Sequence, residues 1–310
     1  MPRYDDYTPP RPLSPQHPVG PFEGTEAYWR ARDLTKPLAP QAQIIGFPYE
    51  GKASFRRGAH KAPDYIRYFS TSLETYSPHQ DVDLTDYLVV DRGNYPLPPE
   101  PLPQSLDAIR ADIQQRKRRA YFTLFLGGDH TSTLAFLGPD EVASAAFYVL
   151  VLDAHTDLRD HYEGDPYSHA AWARRALEWL GPDRLRIAGV RSGTRAEFTL
   201  GHNLGLFLDS PEAVVQWIQN LPRGAGLHLS LDIDVLDLGL VPGTGNPEPL
   251  GWQLRDLCTV FRALREHPVT VRSADVVEYS PPYDASGSTG ILTAWLVREM
   301  LLAFMPMSAE

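Results

Sequence analysis

The 310-residue chain contains one cysteine, Cys258, so no disulfide framework can form within it. No apolar run reaches the roughly 18 residues that a membrane-spanning helix needs. The N-terminal stretch MPRYDDYTPPRPLSPQHPVG lacks the apolar centre of a secretory signal. Basic residues are in the minority, 29 against 39 acidic ones for a net charge of −10. With no arginine-rich run, this balance argues against a nucleic-acid partner. Together these absences lead us to expect a cytoplasmic protein whose acidic surface favours cationic ligands by steering.

What the chain does have is an apolar fraction of 43%, enough for a sizeable core. Residues 1–40 are proline-rich and are expected to form an extended arm, since proline removes backbone donors and opposes helix. The arm is a candidate for reaching a neighbouring subunit. From residue 41 to 310 we expect one domain. Short apolar runs at Ala42–Phe47, Tyr121–Leu126, Phe147–Leu152, Arg184–Val190, Leu227–Leu231 and Val269–Val277, with a weaker one at Leu88–Val90, read as strands. Helical patterns fall at Lys61–Phe69, Leu106–Arg119 (after a proline-rich linker, Pro96–Pro103), Ala170–Leu180, Pro211–Leu221, Gly251–Arg265 and Thr289–Phe304. Near-continuous apolar strands alternating with helices predict an α/β fold, a mostly parallel sheet covered on both faces in three α/β/α layers.

Polar residues follow several of these strands: His130 after Gly127-Gly128, Asp153 after Phe147–Leu152, Asp232 after Leu227–Leu231, and Glu278 after Val269–Val277. Ligands of parallel sheets bind beyond the carboxyl ends of the strands. Asp153, His155 and Asp157 recur with period two, which in an extended segment turns all three side chains the same way; Asp232 and Asp234 repeat the device. The double glycine before His130 is expected to allow a sharp turn. Four buried aspartates carry a charge that protein interiors do not tolerate unpaired. Two divalent cations would balance it. Oxygen ligands with two imidazoles and no thiolate favour Mn²⁺, while ligand type alone also admits Zn²⁺, Ni²⁺ or Co²⁺.

The segments GGDH (ending at His130), DAHTD (Asp153–Asp157) and SLDIDVLD (Ser230–Asp237) resemble the signatures of the ureohydrolase family of arginases and agmatinases. Phe55–Arg67, Pro242–Pro249 (PGTGNPEP) and Asp275–Glu278 (DVVE) extend the likeness to about residues 40–304. The resemblance implies an arginase-like fold and a binuclear manganese hydrolase. In it, His130, Asp153, Asp157 and Asp232 would bind one ion, and His155, Asp153, Asp232 and Asp234 the other, with Asp153 and Asp232 bridging. A hydroxide between the ions would attack a guanidinium carbon. Asp157 would relay its proton, Glu278 would hold the guanidinium by paired hydrogen bonds, and His169 would shuttle protons to solvent. The family often forms trimers or hexamers, so a homo-oligomer is expected.

Arginases carry a Ser-Gly-Asn stretch for the α-carboxylate and α-amine of arginine, and the aligned segment Asp160–His169 (DHYEGDPYSH) has none. Its acids Asp160, Glu163 and Asp165 would repel a carboxylate and suit a cationic tail, with Asp165 the candidate substrate contact. Agmatine, cleaved to putrescine and urea, is the expected substrate. Other ureohydrolase activities (guanidinobutyrase, arginase, guanidinase, formimidoylglutamase) and a catalytically silent metal-binding relative are the alternatives. The chain departs from the family pattern at Ala170, Leu238 and Asn246, where glycine, proline and threonine are usual.

Overall fold

The computed structural model describes residues 40–51 and 53–306, so the expected arm lies outside them except for its last residue. The strands are β1 (Ala42–Gly46), β2 (Tyr76–Ser77), β3 (Val82–Asp83), β4 (Val89–Asn94), β5 (Phe122–Leu126), β6 (Phe147–Leu152), β7 (Leu185–Ala188), β8 (Phe207–Leu208), β9 (Gly226–Asp232) and β10 (Thr270–Val277). The helices are α1 (Ala62–Ser70), α2 (Leu102–Lys117), α3 (Thr133–Phe136), α4 (Pro139–Ala143), α5 (Trp172–Leu180), α6 (Arg195–Asn203), α7 (Pro211–Gln219), α8 (Leu254–Glu266) and α9 (Ser288–Phe304). Eight strands form one sheet in the order β4-β1-β5-β10-β9-β6-β7-β8, and every neighbouring pair runs parallel. The short β2 and β3 pair antiparallel apart from it.

Both faces of the sheet are buried, which is why its strands read as unbroken apolar runs. In β6, Leu150 and Leu152 belong to one core, shared with Val214 of α7, Leu257 of α8 and Val297 of α9. Val149 and Val151 point to the other, shared with Ile109 of α2 and Trp172 of α5. The expected three-layer α/β/α architecture is therefore present.

Three local differences from the sequence reading have clear causes. Helix α2 begins at Leu102, inside the stretch expected to be linker, because Pro103 falls in the first turn, where its missing N–H costs nothing. Helix α6 was not anticipated; Thr194 and Glu197 form a capping box at its start, a signature present in the sequence. Gly127 and Gly128 are not at positive φ. They are needed for close approach instead of a sharp turn: a Cβ on Gly128 would lie 1.8 Å from the Tyr49 carbonyl oxygen, and one on Gly127 would lie 2.6 Å from Val277 Cγ1.

Candidate metal centre

Strands β5, β10, β9 and β6 are adjacent at the middle of the sheet, and their carboxyl ends deliver His130, Glu278, Asp232 and Asp153 to one place. The loops beyond them do the fine positioning. Asp129 caps a 3-10 turn by accepting from Thr131 N at 3.1 Å, which places His130. The expectation that Asp153, His155 and Asp157 extend one strand does not hold. The strand ends at Leu152, the Asp153 carboxylate accepts from His155 N at 2.6 Å, and Asp157 turns inward at φ 49. Likewise Asp232 ends β9 and accepts from Asp234 N at 2.9 Å, so Asp234 sits in a 3-10 turn. These side chains converge through Asx-type turns, not through strand periodicity.

All six expected ligands come together. His130 Nδ1 lies 3.1 Å from Asp153 Oδ2, 3.2 Å from Asp232 Oδ2 and 3.5 Å from Asp157 Oδ2. His155 Nδ1 lies 2.9 Å from Asp234 Oδ2 and 3.5 Å from Asp153 Oδ1. Two ligand groups result, His130 with Asp153 and Asp157, and Asp153 with His155 and Asp234. Asp153 is common to both through its two oxygens. Asp232 is in neither group, although its Oδ2 faces His130.

The imidazole of His130 has a fixed setting. It stacks on Trp172, with centroids 4.3 Å apart, and Trp172 Nε1 donates to Asp157 Oδ2 at 2.9 Å. Ser230 Oγ donates to Asp275 Oδ1 at 2.8 Å, so its oxygen is free to accept from His130 Nε2, 3.0 Å away. With the proton on Nε2, Nδ1 presents a lone pair to three carboxylates. In the buried interior His130 Nδ1 and Asp153 Oδ2 make no hydrogen bond. A lone pair facing carboxylate oxygens is repulsive unless positive charge lies between them. The donor chemistry and these two orphaned atoms fit a divalent cation.

The electrostatics agree. Burial pushes Asp157 and Asp232 well above the usual carboxylate range, helped by the neighbouring charge of Asp153 for Asp157 and of Asp234 and Asp153 for Asp232. Burial opposes charge on His130 and His155 too, but the adjoining carboxylates outweigh it and raise both imidazoles. Burial would also raise Asp153, yet the two neighbouring imidazoles, His130 and His155, hold it below its ordinary value. The cluster is a place that stabilises positive charge.

Glu278 stands beside the cluster at φ 64. A non-glycine residue there is strained by about 1–3 kcal/mol, and such strain gathers at functional sites. Its Oε1 accepts from His130 N at 2.8 Å, and its Oε2 faces Gly245, where a Cβ would come within 3.0 Å. Burial, followed by the charge of Asp129, pushes Glu278 up to about 8. A cavity of about 440 Å³ opens over Asp157, Asp232, Asp234 and Glu278, with His169 also in its wall. His169 Nε2 is 3.1 Å from Ser54 Oγ, which lies 3.4 Å from Asn246 Oδ1. Asp165 does not line this cavity; its carboxylate accepts from Tyr167 N at 2.9 Å in a turn. Sequence reasoning missed Ser54, the Ser230–Asp275 support, and Glu197, which anchors Thr156 and Leu158 N at 2.7 and 3.2 Å.

The arginase family model matches residues 40–303. The agmatinase of Bacillus subtilis is 34% identical over 85% of this chain and 92% of its own length. The guanidinopropionase of Pseudomonas aeruginosa is 31% identical over 90% of this chain and 92% of its own. Among solved structures, the agmatine ureohydrolase of Thermoplasma volcanium superposes with a TM-score of 0.77 at 27% identity, covering 86% of this chain and 90% of that one. No helix among the described residues is long and apolar enough to cross a membrane.

Proposed function

The chain belongs to the arginase family and is a hydrolase of guanidino C–N bonds, and on that premise we propose that it hydrolyses agmatine to putrescine and urea with two Mn²⁺ ions. The observation that carries the metal reading is the orphaned pair His130 Nδ1 and Asp153 Oδ2, with Asp153 shared between two ligand groups. His130, Asp153, Asp157 and Asp232 would hold one ion, and His155, Asp153, Asp232 and Asp234 the other. When bound, such a pair supplies Lewis acidity that lowers the pKa of water toward neutrality.

The protein's own groups account for the rest. A guanidinium carbon is deactivated by resonance, so substrate and attacking oxygen must be held in line. Glu278 is the orienting group: its carboxylate is buried, fixed by His130 N and raised to about 8, and a planar guanidinium satisfies it in paired hydrogen bonds. Water adds to the guanidinium carbon, and collapse of the tetrahedral species expels the amine. That amine leaves with a proton. Asp157, which lines the cavity and accepts from Trp172 Nε1, would relay it. His169, in the cavity wall, exchanges protons with solvent.

Agmatine is favoured among guanidino compounds because Arg159 is the one arginine or lysine that lines the cavity among the described residues. Arg159 lies over the Tyr162 ring, 4.9 Å from its centroid, with Nε 3.6 Å from buried Glu197. Little positive charge remains for a substrate carboxylate. A urea-release screen with Mn²⁺ over agmatine, arginine, 4-guanidinobutyrate and guanidine tests this. Agmatine should give the highest kcat/KM. Preference for arginine or the guanidino acid would overturn the substrate reading, and no urea from any of the four would overturn the activity.

A further inference from the structure

We propose that Glu248 binds the primary ammonium of the substrate's tail and so sets the preference for a dication; this rests on the agmatine reading above. Several carboxylates line the cavity, but most are occupied. Asp157, Asp232 and Asp234 belong to the metal centre. Glu197 has both oxygens filled, one by Thr156 Oγ1 and Leu158 N and the other by Thr194. Two acids are left to meet a ligand, Glu278 and Glu248. Glu248 is 32% exposed at its side chain, and among the described residues its one close ion-pair partner is His155 Nε2, 3.7 Å away, beyond hydrogen-bond reach. It accepts no side-chain hydrogen bond from another described residue.

The loop that carries it is anchored by Arg191. Arg191 Nη2 donates to the Glu248 carbonyl at 3.0 Å and Arg191 Nε donates to the Pro249 carbonyl at 2.8 Å. The same guanidinium holds the carbonyls of Asp234 and Val235, at 2.6 and 3.2 Å. One side chain thus fixes the Glu248 loop to the turn that carries metal ligand Asp234. A preorganised carboxylate loses little on binding.

The spacing suits a short diamine tail. Gly245 abuts Glu278 Oε2, and Glu248 follows three residues later, so the two carboxylates are separated by at most roughly 10 Å of extended chain plus side-chain reach. The guanidinium carbon and primary amine of agmatine are six bonds apart, roughly 7–8 Å when extended. Glu278 and Glu248 line the same cavity, so a guanidinium held on Glu278 can direct its tail toward Glu248. The acceptor is charged, so its loss should cost about 10- to 100-fold.

The test compares agmatine with n-butylguanidine, which has the same four-carbon chain and lacks the amine. In the wild-type protein the ratio of their kcat/KM values should favour agmatine by about 10- to 100-fold. In Glu248→Gln that ratio should fall by a similar factor, with the loss in KM, and Glu248→Asp should recover part of it. A carboxylate that merely orients His155 would lower both substrates together and leave the ratio unchanged, which overturns the proposal. Should Glu248→Gln fail to fold, the wild-type ratio still decides, since a value near one excludes recognition of the amine. Failure of the agmatine reading looks different: the wild-type protein would then prefer 4-guanidinobutyrate or arginine.

Discussion

Replacing Ser230 with alanine removes one oxygen atom and should disable one metal position. Ser230 Oγ lies 3.0 Å from His130 Nε2, 2.8 Å from Asp275 Oδ1 and 3.2 Å from Thr133 Oγ1, all buried. Without it, Asp275 loses a donor while retaining His228 Nε2 at 2.8 Å. That loss costs about 1–3 kcal/mol, or a fall in Tm of about 2–6 °C at about 2 °C per kcal/mol for a chain of this size. The larger effect falls on the metal. His130 no longer has an acceptor on Nε2, so its tautomer and ring orientation are released. Changes in the groups that orient a metal-binding histidine typically weaken affinity about 10- to 100-fold. Metal-free protein titrated with buffered Mn²⁺, with bound metal counted by mass spectrometry, reads this directly. The wild-type protein should take two ions per chain. At a free Mn²⁺ concentration that just fills it, Ser230→Ala should hold one, because the His155 and Asp234 side is untouched. Combining Ser230→Ala with His130→Asn should add little, since both act on the same ligand. Two ions bound with wild-type affinity in Ser230→Ala would refute the assignment of the lone pair on His130 Nδ1 to a cation.

Three further outcomes follow from the same geometry. Asp157→Asn keeps an oxygen for Trp172 Nε1 and should retain part of the metal while losing about 10²- to 10⁴-fold in turnover; near-normal urea release would reject Asp157 as the proton relay. Gly128→Ala places a Cβ 1.8 Å from a backbone carbonyl that cannot yield cheaply, so the protein should lose about 3 kcal/mol, seen as a Tm lowered by about 6 °C; an unchanged Tm would show that the β5 turn relaxes. Stability of the metal-free protein should fall as pH rises. The stability from the raised His130 and His155 is present below about pH 6.5 and is lost above it. Asp157, Asp232 and Glu278, all raised, keep protons in the folded chain after the unfolded chain has released them, so they act in the same direction up to about pH 8, the value for Glu278. Asp153, which is lowered, contributes a constant amount above the ordinary carboxylate range, so it does not alter the slope in this window. Thermal melts from pH 5.5 to 8.5 with and without Mn²⁺ should show the decline only without metal; a rising metal-free Tm would contradict the burial argument.

The parts of this fold legible in the sequence are those where one physical constraint dominates. Strand β6 was predicted at Phe147–Leu152 and has those bounds, because burial on both faces leaves no room for polar residues and the acid at position 153 ends it. The two-residue edge strand β8 offers no such run, and β4 continues through Asp91 and Gly93 to Asn94, a polar composition that only an edge tolerates. The ligand residues were legible as types, since buried acids and imidazoles after strands demand cations, but the turns that aim them were not. Their support was partly visible. His228, Ser230 and Asp232 alternate along β9, a polar stripe within an otherwise apolar strand. Its meaning depends on the register with β10, which sets His228 against Ser273 and Ser230 against Asp275. That register is a long-range pairing, and no local pattern encodes it. The same holds for the substrate's tail. Asp165 looked suitable by charge, yet a Tyr162–Asp165 turn carries it away from the cavity, while Glu248 is brought in by Arg191, 57 residues distant. Charge read along the sequence therefore finds the candidate metal ligands, which follow strands, and says less about the rest of the cavity wall, whose residues are placed by contacts between loops. A change of substrate within this fold can accordingly come from loop anchors such as Arg191, with every metal ligand left in place.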